Sequence, residues 1–169
     1  MTTATEVAQR ALDLRSAPVL RDVALAAARI ALAWIFIYHG AGTLFGAFHG
    51  PGIHATAVFF ASTAGLSPGT LFAVMNGITE FFGGIAVGVG LLSRLAAVGL
   101  FFDMVIAMVT VTFANGIVSS ASGSGYELNL ALAGLAVVVV VQGAGRLSLD
   151  ALAGGVLAQR AAARSTKRG

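Results

Sequence analysis

Four long apolar stretches dominate the hydropathy pattern of the chain. They run over residues 23–45, 70–92, 95–117 and 126–145. A helix needs roughly 20 apolar residues to cross the hydrocarbon core of a bilayer, and each stretch reaches that length. The pattern therefore predicts an all-α fold, an integral membrane four-helix bundle in which every stretch forms one transmembrane helix.

The remaining segments predict how the chain is organised around these spans. Residues 1–22 read as a cytoplasmic amphipathic segment, and residues 153–169 as a basic cytoplasmic tail that follows a four-span domain of residues 23–152. The outer segment 46–69 is long and almost uncharged, and we expect a short helix at about 53–64 within it. This helix would be an interfacial or re-entrant cover over the outer mouth of the bundle. We expect the last nine residues, 161–169, to be disordered.

Composition supports a membrane location and excludes several kinds of chemistry. Of 169 residues, 57% are hydrophobic and 10% are charged, whereas ordinary soluble domains carry about 25% charged residues. No cysteine is present, which excludes disulfides, thiolate nucleophiles and cysteine-ligated metal clusters within this chain. The basic pI near 10.2 does not indicate nucleic-acid binding, because the basic residues are confined to particular loops.

The placement of lysine and arginine predicts the orientation in the membrane. Cytoplasmic loops carry an excess of these residues, and the loops 46–69 and 118–125 contain none. Every basic segment therefore falls on the side of the chain ends, which predicts that both termini are cytoplasmic. The basic residues concerned are Arg10, Arg15, Arg21, Arg94, Arg146, Arg160, Arg164, Lys167 and Arg168.

Glycines four residues apart occur in two of the spans, as Gly42 and Gly46 and as Gly84 and Gly88. In lipid, such small-residue patterns allow helix backbones to approach closely. They predict tight packing inside the bundle, with a homo-oligomer contact as the alternative.

Polar and ionisable residues inside the spans are the candidate functional residues, because they are costly in lipid and usually face the bundle interior. At roughly 1.5 Å of rise per residue, Arg29 and Asp103 fall at nearly the same depth, and we expect them to form an ion pair. Glu80 falls near the middle of its span, with Asn76 one turn outward on the same face. His39 falls level with Asn76.

These five residues, together with Glu127 at the outer rim, predict a polar line through the bundle. Each has a structural alternative: Arg29 as a link between helices or a snorkelling side chain, and His39 as a partner for a neighbouring helix. Glu80 is harder to explain structurally, because a carboxyl group in hydrocarbon must be protonated, paired or hydrated. A metal or haem site built from three scattered histidines is disfavoured.

Aromatic residues flank the candidate polar groups. A flat apolar cofactor such as a quinone would suit this lining, although phenylalanine is also common on lipid-facing surfaces. The residues are Phe81 and Phe82 beside Glu80, Phe101 and Phe102 beside Asp103, and Trp34 and Tyr38 near His39.

Three groups of residues carry a family resemblance. They are Arg29–Leu32 with Tyr38–Gly40 and Leu44–Gly46, Glu80–Gly84 with Gly90–Ala97, and Gly125–Leu128 with Gly143–Asp150. In these groups the chain resembles the DoxX family of small four-span membrane proteins, from about residue 29 to residue 152. Two departures are Thr43, in a region where many members have lysine, and Ala144, where many have proline. A role for that lysine is therefore not carried over.

The last group resembles the closing signature of the family at the cytoplasmic end of the fourth span. Gly143 and Gly145 can end the helix, and Arg146 complements the negative helix terminus and the anionic leaflet. Ser148 or Asp150 can cap a short helix that follows.

The resemblance implies a multi-pass protein of a bacterial inner membrane and a link to redox chemistry. Some DoxX-like proteins are linked to quinone-coupled oxidation of sulfur compounds, and actinobacterial relatives to complexes that handle oxidative stress. The chain has no self-contained catalytic, nucleotide or flavin motif, so electrons would come from a soluble oxidoreductase partner. We therefore predict a membrane subunit of a redox complex. The alternatives are a non-catalytic scaffold or assembly factor and, ranked last, a proton or small-solute pathway.

Overall fold

The computed structural model describes residues 18–120 and 123–166. Within this part of the chain the regular elements are helices, apart from an isolated bridge between Ser120 and Gly123, which confirms the all-α prediction. The α-helices described are α1 (Pro18–Phe45), α2 (Gly52–Ser62), α3 (Gly69–Val89), α4 (Ser93–Ala107), α5 (Glu127–Gln142) and α6 (Leu149–Thr166).

Helices α1, α3, α4 and α5 share one hydrophobic core. Each contributes side chains to a single cluster, and α1 packs most extensively on α3 while α5 packs on α4. The clustered residues are Leu32 and Phe36 from α1, Val87 from α3, Ala97, Leu100 and Met104 from α4, and Leu132, Ala133 and Val139 from α5. Helix α2 lies outside this core and packs against α3.

The outer surface of these helices is apolar, as a lipid-facing surface must be. Trp34 is 76% exposed and Leu95 is 71% exposed. Within the described residues, Gly69–Val89 and Ser93–Asn115 are long and apolar enough to cross a membrane, and Glu127–Gln142 is a shorter apolar helix. A count of four crossings and a cytoplasmic location of both ends stay predictions.

Glycines make the contact between α1 and α3 close. A Cβ atom on Gly84 would lie 3.1 Å from Ile37 Cγ1, and one on Gly88 would lie 2.8 Å from Ala33 Cβ. These two glycines therefore serve packing within the chain, as close-approach glycines do in membrane bundles. Gly42 meets the backbone of Gly50 in the turn after α1.

Several boundaries differ from those predicted. Helix α4 does not continue regularly to residue 117: after Ala107 it widens into a π-helical turn, Met108–Thr112, and ends in a 3-10 turn, Phe113–Asn115. The extra residue of a π turn shifts the following side chains around the helix axis. The predicted helix at 53–64 is observed as α2, and Gly65 follows it with a φ of 68°.

The two ends of the chain also differ from prediction. The sequence predicts an amphipathic segment for residues 1–22, and residues 1–17 of it lie outside the described part of the chain. From Pro18 onward the chain belongs to α1. Helix α6 extends to Thr166, so a tail disordered from Ala161 is wrong for residues 161–166. Alanine has the highest helix propensity of any residue, which favours a helix there.

Candidate functional site

Three of the polar residues predicted inside the membrane meet between α3 and α4. Asn76 and Glu80 lie one turn apart on the same face of α3, as predicted. The Asn76 Nδ2 group donates to Asp103 Oδ1 on α4 at 3.4 Å. The Glu80 carboxyl is near enough to interact with both the Asn76 amide and the Asp103 carboxyl. One amide thus stands between two carboxyl groups.

These groups face a partly open pocket, which we call the inner cavity. Its volume is about 470 Å³, and most of its lining is apolar. Among the described residues Asp103 Oδ2 is buried and has no hydrogen-bond partner, although buried polar atoms nearly always have one. The apolar lining comprises Phe59, Phe60, Leu66, Phe72, Met75, Gly99, Phe102, Met104, Ile106, Ala107 and Val111.

The π turn of α4 forms one wall of the inner cavity. Thr110 and Thr112 both line it, and Thr112 Oγ1 donates to Asn129 Oδ1 on α5 at 3.2 Å. Asn129 Nδ2 also lies 3.6 Å from Met104 Sδ. π turns are frequent at functional sites. Sequence reasoning missed this wall, since nothing in the apolar run around residue 110 separates a π turn from an α turn.

A second space, the outer cavity, adjoins the inner one. It measures about 610 Å³, and Asn76 and Glu80 line both cavities. The outer cavity is the more polar, because His39 and His49 contribute to it. His39 Nδ1 lies 2.9 Å from the Ile35 carbonyl oxygen. His39 and Glu80 thus both line the outer cavity, whereas Asp103 lines the inner cavity. The outer lining also includes Tyr38, Thr43, Phe48, Thr56, Phe59 and Phe60.

Arg29 does not join this site, and its predicted ion pair with Asp103 is wrong. The side chain is only 3% exposed, and its guanidinium donates to four backbone carbonyls. Nε reaches Val87 at 2.9 Å and Nη2 reaches Gly88 at 2.8 Å. The remaining group, Nη1, donates to Leu147 at 3.0 Å and to Ala144. The last carbonyls of a helix lack partners within the helix and carry partial negative charge, so they attract this cation.

Glu127 also lies away from the two cavities described. It begins α5, and its Oε1 accepts from the Ser119 backbone N–H at 3.2 Å. The side chain is exposed and orders the preceding loop. The single polar line predicted from depth is therefore wrong at both ends, where Arg29 and Glu127 have separate structural partners.

The closing motif folds back onto the start of α4. Asp150 accepts from the backbone N–H groups of Leu92 at 2.9 Å and Ser93 at 3.2 Å, and its own N–H donates to Gly90 at 2.9 Å. A carboxylate at a helix N-terminus satisfies free donors and complements the helix dipole. We call the group formed by Arg29, Gly90, Ser148 and Asp150 the latch.

Gly143 and Ser148 have the structural roles expected of them, whereas the role predicted for Arg146 at the helix terminus and the anionic leaflet stays a prediction. Helix α5 ends at Gln142, and Gly143 follows it with a φ of 76°. Ser148 caps α6, because its Oγ accepts from the Ala151 N–H at 3.2 Å. Arg146 is mostly exposed and lies 3.9 Å from the Asp22 carboxylate.

Across residues 18–120 and 123–166, no three His, Asp or Glu side chains are grouped closely enough to hold a metal ion. The candidate site is therefore one of carboxyl and amide groups in an apolar, partly aromatic cavity. It can orient a small, largely apolar ligand through a few hydrogen bonds and can exchange protons with it.

The helical fold, the two membrane-length helices and the apolar exterior are typical of a helical membrane protein. A family model described as DoxX matches residues 24–113, more than half of the chain, and the chain belongs to the DoxX family. The matched region contains His39, Asn76, Glu80 and Asp103 but ends before Glu127 and the closing motif. Searches of curated proteins and of solved structures found no match.

Proposed function

We propose that this protein is the membrane subunit of a redox complex and that its inner cavity binds a quinone. The observation that carries the proposal is the junction of Asn76, Glu80 and Asp103 inside a largely apolar cavity. Ligand sites are typically apolar spaces of about 300–1,000 Å³ with a few convergent polar groups, and a volume of about 470 Å³ falls in this range.

The residues present fit such a ligand in both shape and chemistry. Phe59, Phe60 and Phe102 supply flat apolar surface. The Asn76 amide can donate to a ring oxygen, and the Asp103 Oδ2 atom, which has no partner among the described residues, can accept from a ring hydroxyl. A bound quinone would supply redox chemistry, taking two electrons from a soluble oxidoreductase partner and two protons at its oxygens.

Glu80 has the position of a proton-exchanging group in this proposal. It lines both cavities, so its carboxyl can release a proton to the inner cavity and regain one from the outer cavity. His39 also lines the outer cavity, and an imidazole ring can both donate and accept hydrogen bonds there. Neither residue passes electrons.

The proposal is tested by purifying the native protein in mild detergent and identifying bound lipids and proteins by mass spectrometry. We expect co-purified quinone with the wild type and a loss of most of it in Glu80→Gln and Asp103→Asn. Glu127→Gln is the matched control, because that carboxyl lies outside both cavities, and it should retain quinone. Phospholipid alone in the wild type would contradict the proposal.

A scaffold role is the second candidate, and the latch favours it. Arg29 and Asp150 fix the α5–α6 segment to the ends of α3 and α4, which presents α6 in a fixed place for a partner. A scaffold predicts that Glu80→Gln keeps full function in cells while deletion of residues 149–169 abolishes it. A proton pathway is the third candidate, and the observation in its favour is that Glu80 lines both cavities. It predicts proton flux into proteoliposomes that contain the protein.

A further inference from the structure

Helix α6 begins at a fixed point at the end of the bundle. Ser148 caps its first turn, and Asp150 in the same turn accepts two backbone N–H groups at the start of α4. Its direction at the start is therefore set by hydrogen bonds to the bundle. Beyond this turn α6 makes only sparse contacts with the other described helices.

The described part of α6 leaves an apolar face uncovered by the chain. Leu149, Leu152, Val156 and Leu157 are spaced as residues on one side of an α-helix, and they are 44%, 66%, 48% and 65% exposed. An apolar stripe of this kind on a soluble domain would be buried against another element. Here no element of the described chain covers it.

The apolar surface of the bundle continues into this face. Leu92, whose backbone N–H binds Asp150, is 64% exposed, and Leu147 just before α6 is 58% exposed. If the outer surface of the bundle contacts lipid, the start of α6 lies at the edge of the same lipid surface. A helix that leaves the bundle here can lie along the membrane with its apolar face inward.

The net positive charge of the segment from residue 149 onward indicates which kind of surface α6 would bind. From residue 149 onward the sequence holds four basic residues, Arg160, Arg164, Lys167 and Arg168, and one acidic residue, Asp150. The Asp150 carboxylate is already engaged by backbone donors. An amphipathic helix with a cluster of basic residues is typical of binding to anionic lipid headgroups.

We propose that α6 is an interfacial helix that binds the anionic leaflet at the end of the bundle where the latch lies. Its apolar face inserts between headgroups, and the four basic residues found in the sequence from residue 149 onward attract the anionic lipid. This inference does not depend on quinone binding, and it names an interaction surface outside the two cavities.

The test uses the full-length protein in nanodiscs, and the absence of cysteine from the chain allows a single labelling site. Val156→Cys places an environment-sensitive fluorophore on the apolar face. Gly154→Cys is the matched control, because it lies nearly opposite on α6 and a Cβ there meets nothing within 4 Å. Each variant is measured in phosphatidylcholine alone and in a mixture with anionic phosphatidylglycerol.

We expect a shift to shorter emission wavelength at position 156 in the anionic nanodiscs, a smaller shift in phosphatidylcholine, and none at position 154. The shift at position 156 should shrink in high salt and when all four basic residues are replaced by glutamine, because surface electrostatics are screened by salt.

Equal, water-like emission at both positions in the anionic nanodiscs would overturn the proposal. A shift at position 156 that occurs only after a protein partner is added would also overturn it, since α6 would then bind protein rather than lipid. A shift that is identical with and without anionic lipid would refute the role given to the basic residues.

Discussion

The latch and the inner cavity both place ionisable side chains among apolar helices, yet the hydrogen bonding of these side chains differs sharply between the two. At the latch, Arg29 donates to four carbonyl groups and both Asp150 oxygens accept backbone N–H groups. At the inner cavity, Asp103 has one long hydrogen bond, and its other oxygen is buried without a partner among the described residues.

This difference separates residues that hold the fold from residues that are available to a ligand. A fully hydrogen-bonded buried group stabilises its surroundings, and its removal leaves the partners unsatisfied. A buried polar atom that faces a cavity without a partner costs stability, which a bound ligand can recover. The comparison predicts large stability losses at the latch and small ones at the cavity.

The largest loss is expected for Arg29→Leu. The substitution leaves four carbonyl groups without their donor, two at the end of α3 and two in the loop after α5. We expect the free energy of unfolding to fall by about 3 kcal/mol or more. Thermal unfolding in detergent, followed by circular dichroism, measures this. Arg146→Gln is the control, because Arg146 is 79% exposed and its ion pair contributes about 1 kcal/mol or less. Equal effects of the two substitutions would contradict the role given to Arg29.

Asp150→Ala should cause the next largest loss. It removes the side chain that caps the start of α4, and a lost cap costs about 0.5–2 kcal/mol. Asp150→Asn keeps one acceptor oxygen and should recover part of this loss. The same unfolding measurement applies, with Ser148→Ala as a comparison because it removes the cap of α6 and the hydrogen bond to the Gly145 carbonyl but leaves the start of α4 capped. No difference between Asp150→Ala and wild type would show that α4 needs no cap.

A smaller loss is expected for Thr112→Val in the π turn. Its hydroxyl donates to Asn129 on α5, and loss of one such bond costs about 1 kcal/mol. Thr110→Val is the matched control, because the Thr110 hydroxyl donates to the Ile106 carbonyl of its own helix and not to α5. If Thr110→Val were the more destabilising of the two, the link between α4 and α5 through Thr112 would be wrong.

The smallest effect on stability should come from Asp103→Asn. The amide can still accept from Asn76, and a costly buried carboxyl is removed, so the free energy of unfolding should stay within about 0.5 kcal/mol of wild type or rise. Quinone retention should fall in the same variant. A stability loss as large as that of Arg29→Leu would make Asp103 part of the scaffold instead.

Sequence reasoning found the helices because hydropathy and length constrain them strongly. It also placed Asn76 and Glu80 on one face, since residues four apart align on any α-helix. A cap on α6 by Ser148 or Asp150 followed from the same local logic, because capping depends on residues within one turn, and the structure shows that Ser148 is the cap. These features need no knowledge of how helices pack against one another.

The incorrect prediction of an ion pair between Arg29 and Asp103 shows that equal depth in the membrane does not determine which side chains meet. Asp103 is the eleventh residue of α4, about 15 Å along the helix from its start, whereas Arg29 is level with the last turn of α3. No sequence motif indicates that the loop after α5 folds back and brings the carbonyls of Ala144 and Leu147 to Arg29. Such long-range contacts depend on packing, as does the capping of α4 by Asp150.

The most direct test of the account is a structure of the protein in quinone-containing nanodiscs, bound to an antibody fragment that makes the particle large enough to image. The account predicts flat density in the inner cavity, with one ring oxygen near the Asn76 amide and Asp103, while Arg29 keeps its four carbonyl contacts. An inner cavity filled by an acyl chain, or closed by direct contact between Glu80 and Asp103, would contradict it.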